Sequence, residues 1–235
     1  MFLAAAKGDR ISWDATPAPI GPPDIESILS AASSLLGGCK VDTVTIDMPV
    51  SRKQIKERRP ADNAISAAFG AAYCGTHSPT PVRPGTYGET LTQVFRAARF
   101  HVATTNTKPG RLSRLVEVYP HPALLRLCGA ETRLEYKVGK SRKYWPQTDL
   151  CGRIANLLTV HRRILDALGA EIKDINLPLP TADSCRTLAS LKCYEDAIDA
   201  LVCAWVGCQY VDGRAIAFGD AAAAIWVPHA RPPPA

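Results

Sequence analysis

The sequence predicts an α/β domain in which a mixed central sheet is flanked by helices, and three observations carry that prediction. Two β-rich runs, TVTIDMP and LVEVYP, are each cut off by a proline. Amphipathic helical patterns lie between and beyond them. A third, nearly apolar stretch, YEDAIDALVCAWVG (Tyr194 to Gly207), reads as a helix stopped by Gly207. From Ala197 to Cys208 its one charge is Asp199. A helix apolar nearly all round is buried, and a bare buried carboxylate costs roughly several kcal/mol, so Asp199 is expected to have a cationic partner, an arginine or a metal ion. Asp196 stands three residues earlier, about 60° away on the helix surface, and the two can converge on one cation.

Composition narrows the class. With 46% hydrophobic residues over 235 positions the chain can bury one sizeable core. We expect a single domain over 1–228, with a helical insertion at about 52–110 and a disordered tail at 229–235. No apolar run approaches the roughly 20 residues that span a bilayer, and Met1 to Ala6 is too short for a signal peptide, so a cytoplasmic protein with no membrane partner is expected. The eight cysteines include no CxxC pair and read as buried free thiols. The five histidines lack HxxxH or HExxH spacing, which leaves carboxylates as metal ligands and points to magnesium or manganese. A net charge of +6 permits an acidic partner.

In chain order, FLAAAKGDRISWDATP reads as two short strands around a Lys7-Gly8-Asp9 turn that open the sheet. After the proline-rich link Pro17 to Pro23, Asp24 is set to cap a helix with apolar Ile25, Ile28, Leu29, Ala32 and Leu36, stopped by Gly37. In VDTVTIDMPV, Val44, Ile46 and Met48 point one way and Thr43, Thr45 and Asp47 the other. Asp47 then lies at the carboxyl end of a central strand, where open α/β sheets place ligands. Arg52, Lys53, Lys56, Arg58 and Arg59 follow, a solvated run or a grip for a phosphate backbone. Helices are expected at Asp62 to Tyr73 and Glu89 to Phe100, with loops at 78–88 and 101–110. Glu117 is the one charge between Leu115 and Pro120, in a strand that runs to Tyr119. A short helix ending at Gly129 follows. Arg133 to Trp145 interleaves Lys137, Lys140 and Arg142 with Tyr136, Tyr144 and Trp145, as a mobile solvated loop or as cations and aromatic plates suited to a nucleic-acid strand. A long helix from Gln147 to Leu168, a turn at Gly213 and a strand from Ile225 to Val227 complete the reading. There is no GxGxxG or GxxxxGK loop, which disfavours dinucleotide and P-loop chemistry.

The order hairpin, helix, strand, helices, strand, helix resembles that of the ribonuclease H-like fold. DAIDALVCAW resembles the last-helix motif of RuvC-type Holliday-junction resolvases, in which two aspartates three apart bind metal, and TIDMP resembles the strand that brings a second acid. More specifically, IDMPV, RRPADNAISAAFG, VEVYPHPALLRL, EYKVG, EDAIDALVCAWVG and IWVP, in this order, resemble the family known as domain of unknown function 429, read as RNase H-like nucleases. The resemblance covers about 42–228. It implies a metal-dependent hydrolase of DNA or RNA phosphodiesters, with Asp47, Glu117, Asp196 and Asp199 holding one or two magnesium or manganese ions and Arg52, Lys137 and Arg142 gripping phosphates. It also implies an absence: such enzymes begin with a strand that carries an aspartate, and here Met1 to Ala6 already reads as that strand's partner. A late start or an incomplete site would each account for it. The competing reading is a non-catalytic module of the same fold that binds nucleic acid or a protein partner. A phosphotransferase on the related actin-like fold suffers from the lack of glycine-rich loops.

Overall fold

The computed structural model describes residues 3–7, 10–14, 24–80, 82, 85–175 and 177–230, and of 11–14 the backbone alone. Strands β1 (Leu3–Lys7) and β2 (Arg10–Asp14) pair antiparallel, as the sequence predicts. They do not open the main sheet but form a two-stranded sheet of their own. Gly8 and Asp9 of the expected turn, the link Pro17 to Pro23 and residues 231–235 of the expected tail lie outside the described residues.

Helix α1 (Ile25–Leu35) begins where Asp24 accepts a hydrogen bond from the Glu26 N–H and ends as Gly37, at φ 65°, turns left-handed. Strand β3 (Thr43–Ile46) leads to the segment that carries Asp47. Next come α2 (Pro60–Phe69), α3 (Tyr87–Ala97) and β4 (His101–Val102), a two-residue strand inside an expected loop. Strand β5 (Arg114–Val118) runs into α4 (Pro120–Cys128), which Gly129 at φ 56° terminates. A 3₁₀ turn at Val138–Lys140, a single helical turn α5 (Ser141–Tyr144) and the long α6 (Leu150–Gly169) follow. Helix α7 (Ala189–Val211) is longer than predicted at both ends, and Gly207 does not stop it. A Cβ there would lie 3.1 Å from Thr45 Cγ2, so Gly207 lets α7 approach β3. Strands β6 (Ala215–Gly219) and β7 (Ala224–Pro228) close the chain.

The main sheet has the order β3-β5-β7-β6, with β4 beside the first half of β5. Strands β3, β4 and β7 run parallel to β5, and β6 runs antiparallel to β7, which makes the sheet mixed and mostly parallel. The expected central place for the strand before Asp47 falls to β5 instead; among the described residues β3 is an edge.

Side-chain alternation sorts the two faces. Val116 and Val118 of β5 pack with Ile198, Leu201, Val202 and Trp205 of α7. Leu115 packs with Leu91 and Phe95 of α3, alongside Val44 and Ile46 of β3. Thr45, alternating with Val44 and Ile46, meets α7 at Gly207. Asp47 shares the parity of Thr45 and Glu117 that of Leu115, so the acids at the ends of these two strands are carried towards opposite faces. No helix among the described residues is long and apolar enough to cross a membrane.

Candidate metal centre

Helix α7 brings three acids to one place. One carboxylate oxygen from each of Glu195, Asp196 and Asp199 lies within 4.8 Å of the others, a group that could hold a metal ion. Spacing pointed to Asp196 and Asp199 and did not single out Glu195, which is buried. Its neighbours explain this: Glu195 accepts from the Val138 N–H at 2.7 Å and from Lys192 Nζ at 2.7 Å. The hint in the sequence was the i,i+3 step from Lys192 to Glu195, beside the i,i+4 step to Asp196.

The expected cation beside Asp199 is Lys137. Its ammonium lies 2.5 Å from Asp199 Oδ2 and 3.4 Å from Glu195 Oε1, and the Tyr136 hydroxyl donates to Asp199 Oδ1 at 2.7 Å. Tyr136 is fully buried and no plate for a base. It stacks edge-on to His121, and its carbonyl lies 2.9 Å from His161 Nε2. The stretch 133–145 is thus anchored rather than a free loop. Arg142 stands exposed on α5. Arg52 is exposed too, and its Nη2 donates to the Val102 carbonyl at 3.1 Å.

Burial opposes the charge on Glu195, but Lys192, Lys137 and the Val138 amide outweigh it and hold the carboxyl below its usual range. For Asp199, burial wins over Lys137 and Tyr136 and the carboxyl is pushed up. Burial would lower Lys137, yet Asp199 and then Glu195 drive it up. The upward shifts of Asp199 and Lys137 pull their shared bridge in opposite senses. The contact supports the charged pair, because an ammonium 2.5 Å from a carboxylate oxygen is a charge-assisted bond.

Asp47 is exposed, yet its carboxyl is pushed up to about 7, first by desolvation and second by the charge of Asp199. Exposure and desolvation agree only for a carboxylate recessed on one side and open on the other. Since solvent reaches the residue, the Asp199 charge is the firmer of the two causes. Strand parity turns Asp47 towards the α7 face and the Asp199 charge acts on it, but its carboxylate is not one of the three whose oxygens lie within 4.8 Å of one another.

Glu117 has a different surrounding. Both its oxygens accept from Arg59, at 2.6 and 2.7 Å, and Oε2 also accepts from the Val50 N–H at 3.0 Å. Arg59 further binds Asp62 and the Val50 carbonyl. Burial pushes the Glu117 carboxyl up against the pull of Arg59, while Arg59 is itself driven up by Glu117 and Asp62 against its own burial. The two-point geometry favours the ion pair, because a guanidinium does not give up its proton. Sequence reading missed Arg59, which looked like one more member of a basic run. The eight cysteines are thiols outside disulfides, as expected, but not all are buried as expected: Cys74, Cys185 and Cys203 are buried, while Cys151 and Cys193 are exposed.

The donor set around Asp199 is all oxygen and suits a hard divalent ion, provided that the two lysines give way. No curated protein and no solved structure matches the chain. A family model described as protein of unknown function, DUF429, matches residues 4–224, and the chain belongs to that family.

Proposed function

We propose that the protein is a magnesium- or manganese-dependent hydrolase of nucleic-acid phosphodiesters, with Asp47, Glu195, Asp196 and Asp199 as the metal-holding carboxylates. The observation that carries this reading is charge. Four carboxylates face two ammonium groups, Lys137 and Lys192, which leaves two negative charges when all are ionised. One divalent ion matches that deficit while the lysines stay close by, and two ions match the four charges left once both lysines turn away. Bound there, the metal would supply an activated water and steady the leaving oxygen. The chain's own groups do the rest. Tyr136 fixes the orientation of Asp199. Lys137, released from Asp199, turns to a substrate phosphate, with Arg142 as a further phosphate contact. Glu117 acts through position: paired with Arg59, it holds Val50 and so the segment that carries Asp47. A direct metal role for Glu117 would require that pair to open.

One observation favours a second reading. Both lysines already sit where a cation would, so the site is stable without metal, as befits a module that binds nucleic acid or a protein partner without cutting it. Calorimetry with manganese separates the two. The hydrolase reading expects saturable binding that Asp199→Asn weakens at least about tenfold, which is about 1.4 kcal/mol, and manganese-dependent cleavage of DNA or RNA that the same change abolishes. Absence of carboxylate-dependent manganese binding would leave the module reading, and equal cleavage by both proteins would reveal a contaminant.

A further inference from the structure

Helix α3, the loop beyond Val50, and β4 with the first residue of β5 enclose a recess of about 790 Å³ that contains none of the acids of α7. Among the described residues its wall carries Arg52, Lys53, Arg96 and Arg114 against a single carboxylate, Glu89. That carboxylate is turned elsewhere, since Glu89 Oε1 accepts from the Ile55 N–H at 3.1 Å. Among the described residues, none of the four cations forms an ion pair. Arg96 lies in the last turn of α3, where the helix dipole favours a cation. That accounts for one of the four. Arg52 is fixed in the wall by its bond to the Val102 carbonyl, while Arg114, which shares the strand parity of Val116 and Val118, turns its side chain towards Tyr210 of α7 and contributes only to the flank of the recess.

Like charges gathered on a concave wall repel one another and focus a positive potential, and an anion relieves both. Guanidinium groups meet phosphate oxygens at two points, and lysine adds a compact charge. Among the described residues that line the recess there is no phenylalanine, tyrosine or tryptophan and one imidazole, His101, so base stacking has little platform there and recognition rests mainly on the phosphate groups. The volume is that of a small-molecule site. We propose that this recess binds a small phosphate-bearing anion through Arg52, Lys53 and Arg96. The site is separate from the carboxylates of α7 and stands whether or not they hold metal.

The test titrates inorganic pyrophosphate into the full chain by calorimetry at constant ionic strength. A single-stranded oligonucleotide and sodium sulfate serve as parallel titrants. Saturable pyrophosphate binding is expected, weakened at least about tenfold in Lys53→Gln/Arg96→Gln and unchanged in Asp199→Asn, whose manganese response reports separately on the metal site. Lys53 and Arg96 are both exposed, so the variants should fold, and Lys53→Gln alone should show part of the loss. No saturable binding, equal binding in the double variant, or sulfate binding as tight as pyrophosphate overturns the proposal. So does an oligonucleotide that binds through these two residues while pyrophosphate does not, which would make the recess part of a nucleic-acid track.

Discussion

The guanidinium of Arg59 donates to Glu117, to Asp62 and to the Val50 carbonyl, so one side chain ties β5 to the start of α2 and to the segment behind Asp47. Its neighbours leave it no freedom: Arg59, Asp62 and Glu117 are all buried. Removing the cation from such a cluster strands two carboxylates in the interior, which costs more than the pair was worth. Arg59→Met should therefore lower unfolding free energy by about 3–5 kcal/mol in urea denaturation, and adding Glu117→Met should recover part of that loss. A cost for Arg59→Met below about 1 kcal/mol, the worth of an exposed pair, would mean that the cluster is not closed as described. The same residues decide what Glu117 does. In Glu117→Gln, manganese affinity within a few-fold of the wild type together with lost stability fits a positioning residue, while a collapse of affinity at full stability would make it a ligand.

At the scale of elements, two glycines set how closely helices approach β3 and the Asp47–Val50 segment beyond it. A Cβ on Gly88, in the first turn of α3, would lie 2.2 Å from the Pro49 carbonyl oxygen, a backbone atom that cannot turn aside. Gly88→Ala must push α3 away from the segment that bears Asp47. We expect a loss of about 1–3 kcal/mol, typical of overpacking, with weakened manganese binding. Gly139→Ala, where nothing lies within 4 Å, is the control and should be nearly neutral in the same thermal melts. Unchanged stability in Gly88→Ala would show that α3 does not dock there. Gly207 marks where sequence reading erred: a glycine in a helical pattern resembles a stop signal, and only the packing against Thr45 tells a close approach from an end. Local signals fared well where the physics is local. Asp24 and Gly37 bounded α1, Gly129 bounded α4, and the three-residue step joined Asp196 to Asp199. Contacts between distant segments were not legible. Lys137 on Asp199 and Arg59 on Glu117 join residues 62 and 58 positions apart, and β4 is too short to show a period.

For the whole molecule, the sheet arrangement implies an order of stability that bears on the site. Strand β5 pairs with β3 on one edge and with β4 and β7 on the other, and Leu115, Val116 and Val118 are essentially inaccessible to solvent. The hairpin of β1 and β2 has no such frame. A two-stranded sheet is marginal by itself, and the side chains that β1 offers to the main core are those of Ala4 and Ala6, both partly buried, while Ala5 is buried outside that core. Strand β1 lies against α7 and α1, but alanine buries little apolar area, so that packing opposes local opening only weakly. Amides of residues 3–7 should therefore exchange with deuterium at least about tenfold faster than those of 115–118, a gap of about 1.4 kcal/mol or more. The acids of α7 sit opposite Lys137, which is next to the fully buried Tyr136, and their neighbourhood should exchange with the slow group. Mass spectrometry of exchanged peptides resolves the three regions. Equal protection of β1 and β5 would mean that the hairpin is bound into the main sheet by contacts beyond those described. Rapid exchange around Tyr136 to Val138 would remove the rigid support that a preorganised metal site on α7 requires.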